Sequence, residues 1–211
     1  MNESIAFALL CFTSFFSVMN PLGVMPVFMT MTSELDDRNR RKTAERAVLV
    51  AFITLMIFAL SGQLLFKFFG ISVDSFRIVG GIIFFMMGYE MLQARLSRVE
   101  VDEESVRSYV KDISITPLAI PIICGPGAIT NAIVLMQDAY SIELKIVLIT
   151  MILLVVTIML IGLIWAGKFI KMLGDTGNKI MMRLMGLIIM VMAVEFFFAG
   201  LRPIVRDILD K

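Results

Sequence analysis

The chain is predicted to be an all-α membrane protein whose six transmembrane helices form two inverted three-helix repeats, with a Pro/Gly-broken first helix in each repeat. Three observations predict this. The composition is 59% hydrophobic and only 18% charged, with a mean hydropathy of +0.91. Five of the 6 prolines fall in two apolar stretches, residues 20–26 and 117–127. Finally, adding 105 to a residue number carries Pro21 onto Pro126, Gly81 onto Gly186 and Glu90 onto Glu195 without a gap.

Uncharged runs cover residues 4–33, 47–66, 113–137 and 146–167, each close to or above the roughly 20 residues that span hydrocarbon. Segments 72–93 and 180–201 complete the six. Their charge-free cores are short, so they carry Arg77 or Glu90, and Arg183 or Glu195, near their edges. The first run holds no Lys or Arg and lacks the positive n-region of a secretory signal, so it reads as a membrane helix. Proline removes a backbone donor and clashes with the preceding turn. Non-helical backbone is therefore expected at Asn20–Gly23 and at Gly125–Gly127. A freed carbonyl at membrane depth is tolerated only where protein or a water-lined cavity satisfies it. Paired interruptions in the two halves of a membrane protein point to a binding site near the midplane.

The halves are expected at 1–95 and 113–211, joined by a charged linker over 96–112. Each runs broken helix, clean helix, then a helix opened by Arg and carrying Glu near its far end. With three helices per repeat, the second copy enters the membrane upside down relative to the first.

Thirteen of the 19 Lys and Arg residues lie in the loops after the first, third and fifth helices, including Arg38, Arg40, Arg41, Lys42 and Arg46. Cationic loops stay in the cytoplasm, so both termini are expected outside. A net charge of +1 argues against a nucleic-acid partner. The chain has no histidine, which removes His-based proton relays, general bases and metal sites. Its 18 methionines are spread through the helices as flexible apolar filler. No phosphate-binding G-x-x-x-x-G-K-[ST] loop occurs, and neither an enzyme activity nor a cofactor is expected. Tyr89, Tyr140 and Trp165 fall near span ends as interfacial anchors.

The stretches Asn20-Pro21-Leu22-Gly23 with Pro26, Pro117-Leu118-Ala119-Ile120-Pro121 followed by Gly125-Pro126-Gly127, Phe76-Arg77-Ile78-Val79-Gly80-Gly81 and Arg183-Leu184-Met185-Gly186 resemble the MarC family of bacterial and archaeal integral membrane proteins. The resemblance covers nearly the whole chain. It implies a multi-pass protein of the prokaryotic cytoplasmic (inner) membrane. An archaeal branch of the family is associated with transport of small neutral amino acids, and a similar activity is implied here.

A zwitterionic amino acid needs donors at one end and acceptors at the other. Helix N-termini supply free N–H groups, while helix C-termini and unwound carbonyls supply acceptors. Candidate substrate-binding residues are therefore Ser17, Asn20, Pro21 and Gly23 at the first break, with Gly125, Pro126, Gly127, Thr130 and Asn131 at the second. The bland alternative is that Ser, Thr and Gly there serve helix packing. Glu90 and Glu195 are candidate proton-coupling groups, because a carboxylate in a bilayer is costly unless paired, hydrated or protonated. A non-transporting scaffold or stress-tolerance protein is the alternative function. A thiol-disulfide relay fits less well, since Cys124 lies two residues before Pro126 while Cys11 lies ten before Pro21. Expected partners are a small neutral amino acid, the lipid bilayer and, in a homo-oligomer, further copies of the chain.

Overall fold

A computed structural model describes residues 3–33, 35–93 and 113–209. Helix α1 (Glu3–Met19) and helix α2 (Pro21–Met31) form one apolar span interrupted at Asn20. Helix α3 (Asp37–Phe69) is capped at its start by the Asp36 carboxylate, which accepts from the Asn39 N–H, and closed by Gly70 at a φ of 65°. Such a left-handed C-terminal residue is normally glycine. Helix α4 (Val73–Leu92) starts at Ser72, whose hydroxyl accepts from the Ser75 N–H. Then come the irregular α5 (Ser114–Ile123) and α6 (Pro126–Asp138). The helical stretch Ile142–Leu209 is divided at Gly174, with φ 67° and ψ 177°, a conformation open essentially to glycine. Its two arms are α7 (Ile142–Lys168) and α8 (Lys179–Leu209).

Among the described residues, five spans are long and apolar enough to cross a membrane, or six if α5 and α6, bent by 60° at their junction, count as one. The predicted linker, 96–112, lies outside the described residues. Large apolar side chains such as Leu60, Leu64 and Phe68 are exposed around the outside. Water would penalise that surface, whereas lipid tails accept it.

The buried stripes explain the packing. Helix α1 buries Cys11, Phe15 and Met19, four residues apart on one face. Helix α3 buries Ala44, Ala47, Ala51, Leu55, Ala59 and Gly62. Small residues let backbones approach closely, the main source of helix association where lipid removes the hydrophobic drive. Partners come mostly from the other half of the chain: α1 and α2 pack on the Ile142–Leu209 helix, α3 on α5 and α6, and α4 on the Ile142–Leu209 helix. Helices α4 and α8 cross antiparallel at glycines. A Cβ on Gly81 would stand 2.7 Å from the Ala193 carbonyl oxygen, and one on Gly88 2.7 Å from the Gly186 carbonyl oxygen.

Residues before proline are disfavoured in the helical region by the ring, and four of the six prolines follow a non-helical residue, while Pro26 and Pro203 lie inside helices. Asn20, before Pro21, is left-handed at φ 43°, ψ 69°. Thr116 (φ −131°, ψ 124°) and Ile120 (φ −129°, ψ 119°) are extended before Pro117 and Pro121, the latter across a cis peptide bond. Gly125 is extended before Pro126 at φ −80°, ψ 174°. The first unwinding is narrower than Asn20–Gly23 and the second differs from Gly125–Gly127. Pro21 and Pro126 each open a helix, where a missing N–H costs nothing.

Candidate functional site

At the first break the Asn20 carbonyl accepts from the N–H groups of Gly23 (2.9 Å) and Val24 (3.2 Å). Its side-chain Oδ1 also accepts from the Gly23 N–H at 3.1 Å. The left-handed backbone suits asparagine, one of few residues besides glycine that visit it. Oδ1 is thus committed to capping α2, while Nδ2 donates to no described residue. A Cβ at Gly23 would meet the Asn20 side-chain amide, so any larger residue there would displace the cap. Below the break lies a cavity of about 20 Å³, walled by Asn20 and Gly23, by Phe84 and Met87 of α4, and by Ile189 and Met192 of α8. That volume is near the size of one water. No charged side chain lines it.

The second break meets the first around one aromatic ring. Phe84 walls the cavity and also covers Gly125, where a Cβ would run into the ring and stand 2.7 Å from the Pro121 carbonyl oxygen. Gly127 is covered by Phe196 and by Val18, whose Cγ1 would lie 2.8 Å from an added Cβ. The two rings touch edge to face, with centroids 6.1 Å apart at 82°. Pro126 is seated on Gly80. Unlike α2, helix α6 begins without a side-chain cap. Within its first turns, Thr130 is 1% exposed and its Oγ1 has no hydrogen-bond partner. Such a group is costly to bury unsatisfied.

The structure thus brings Asn20 and Gly23 to one cavity with Phe84, sets Gly125 under the Phe84 ring, and places Gly127 under Phe196, which touches Phe84. Thr130 is buried on α6 and Asn131 half-buried beside it. Ser17 is set apart, exposed half a turn from the Cys11, Phe15, Met19 stripe. Glu90 and Glu195 are also exposed, away from the cavity. Cys11 and Cys124 are both buried as free thiols. The sequence reading missed Phe84, Met87, Ile189 and Met192. A signal for them existed, because Phe84 maps onto Ile189 and Met87 onto Met192 under the same 105-residue offset.

Polar contacts between α1 and the α6–α7 connection gather far from the cavity. The Tyr140 hydroxyl donates to Glu3 Oε1 at 2.6 Å, and the Ser4 hydroxyl to Glu143 Oε1 at 2.6 Å. The Glu3 carboxylate holds the Tyr140 hydroxyl above the usual tyrosine range, chiefly by accepting that hydrogen bond.

Long apolar helices with a proline-broken interior and a lipid-compatible exterior define a multi-pass integral membrane protein. The chain belongs to the MarC family: the model described as MarC family integral membrane protein matches residues 5–205. It is 40% identical over 203 residues to a UPF0056 membrane protein of Pyrococcus horikoshii, covering 96% of this chain and 98% of that one. It is 35% identical over 194 residues to the UPF0056 membrane protein YvbG of Bacillus subtilis, covering 90% and 92%. Identity to the UPF0056 membrane protein YhcE of Escherichia coli is 33% over 207 residues, covering 94% of each. No solved structure matches the chain.

Proposed function

We propose that this protein is a secondary transporter of small neutral amino acids that works by alternating access around its two broken helices. One observation carries the reading: the cavity at the meeting of the breaks is walled by Phe84 and Ile189, and by Met87 and Met192, pairs that stand 105 residues apart in sequence. The α4–α8 crossing supports it. The offset exchanges the Gly81–Ala193 contact with the Gly186–Gly88 contact, as a two-fold axis between inverted repeats requires.

In this mechanism the uncapped N-terminus of α6 and the Thr130 hydroxyl receive the substrate carboxylate, where free N–H groups and a partial positive charge favour it. Carbonyls at the end of α1 receive the ammonium, and Asn20 Nδ2 donates to the substrate from the first break. A cavity of about 20 Å³ is too small for an amino acid, so Phe84 must swing off Gly125 to join the two breaks into one site. The cytoplasmic membrane is the setting, with both termini outside and no cofactor.

Purified protein in proteoliposomes, given labelled glycine, alanine and serine under imposed proton and sodium gradients, tests this. Gradient-dependent uptake, abolished in Gly125→Val at matched protein level, is expected. Absence of uptake in every gradient orientation, with protein shown folded and inserted, sinks the reading.

A further inference from the structure

At the basic end of the bundle the first turns of α3 face the last turns of α7 across a cleft of about 300 Å³. Arg40, Arg41 and Lys168 supply cations to it, Asp37 the carboxylate, and Leu163 and Ile164 an apolar floor. We propose that this cleft binds the phosphodiester headgroup of an anionic phospholipid, with an acyl chain running down α7.

The charges are arranged for an anion. Arg40 is held rigidly: its Nη2 donates to the carbonyls of Leu35 (2.9 Å) and Thr32 (3.4 Å), and its Nη1 to Asp37 at 2.9 Å. Its Nε is buried with no acceptor. Two carboxylates pair with these cations, Asp37 on the cleft wall and Glu45 outside its lining. The Asp37 side chain is 93% exposed, and Arg41 meets Glu45 on the solvent side, where both are well exposed. The Arg40 guanidinium lies against α7 at Gly167, with Nη1 3.7 Å from where a Cβ would stand.

The surroundings select a lipid over a soluble anion. Lys168 lies over the exposed ring of Trp165, 5.4 Å from its centroid. Ammonium over indole is an attractive pairing, and tryptophan settles at the headgroup level of a bilayer. One turn before Trp165 and Lys168 along α7, Ile161 and Ile164 are exposed. A phosphate between Arg41 and Lys168 therefore sits where a headgroup sits, with its chain against an apolar helix face. Basic pockets between transmembrane helices bind anionic headgroups by this chemistry.

The test uses the full chain, purified and delipidated in detergent, with phosphatidylglycerol and phosphatidylcholine added in mixed micelles and bound lipid counted by native mass spectrometry. Phosphatidylglycerol should bind more tightly, and Arg41→Gln with Lys168→Gln should weaken it about 30-fold, from roughly 1 kcal/mol per basic residue. Arg38→Gln with Lys42→Gln removes the same charge from exposed positions outside the cleft and should leave binding unchanged. Equal affinity for both lipids, equal loss in the two double variants, or displacement by millimolar inorganic phosphate would overturn the proposal.

Discussion

The two helix breaks begin from similar chemistry and end in different structures. The first is one residue wide and closes on itself, because the Asn20 side chain caps the helix that follows. The second is spread from Thr116 to Gly125, bends the span by 60°, and leaves the start of α6 without a side-chain cap. A self-capped break is a finished structural joint. An uncapped, buried helix start next to an unpartnered hydroxyl is one that still lacks a polar partner. Within the proposed transport cycle, the second break receives the substrate carboxylate at its uncapped helix start, and the first, already rigid, offers its α1 carbonyls and Asn20 Nδ2.

The largest expected effect comes from loading the second break. Gly125→Val sets a branched side chain against Phe84 and the Pro121 carbonyl, and overpacking of this kind costs about 1 to 3 kcal/mol. Gly23→Val meets only the movable Asn20 amide. Thermal unfolding in detergent should show a larger drop for Gly125→Val; equal drops would erase the distinction between the breaks. Next in size, Thr130→Val replaces a hydroxyl with a methyl of similar shape. If that hydroxyl waits for substrate, the apparent affinity in the uptake assay falls about 5- to 150-fold without loss of melting temperature. An unchanged affinity would reduce Thr130 to packing. At the first break, Asn20→Ala loses a cap worth about 0.5 to 2 kcal/mol, whereas Asn20→Gly costs a few tenths and keeps the left-handed backbone. Equal losses in chemical denaturation would mean the amide does more than cap. Smallest of all, Ser17→Ala on the exposed face should stay within about 0.5 kcal/mol of the parent and leave uptake intact.

Both breaks were legible because proline acts locally, through a donor it lacks and a ring that excludes helical geometry from its predecessor. Their widths were not. Asn20 confined the first break through a side-chain hydrogen bond, and Pro26, despite its missing donor, stays inside α2. Thr116 and Ile120 follow the rule for residues before proline, but a reading centred on Gly125–Gly127 passed over them. Ser17 was misplaced because closeness in sequence to Asn20 says nothing of helix face, which the Cys11, Phe15, Met19 spacing fixes. The cavity walls were hidden for another reason. Phe84, Met87, Ile189 and Met192 are ordinary apolar residues in apolar helices, and the 105-residue offset that pairs them marks a wall only once α4 meets α8.

The interleaving of the halves bears on biosynthesis. Helices α1, α2, α3 and α4 find their main partners in the part of the chain made last. While the ribosome is still translating the second half, the glycine notches of α4 and the alanine stripe of α3 stand open to lipid. Contacts so distant in sequence form late. Truncation after the first three spans would leave inserted helices without their main partners, a ready target for membrane proteolysis.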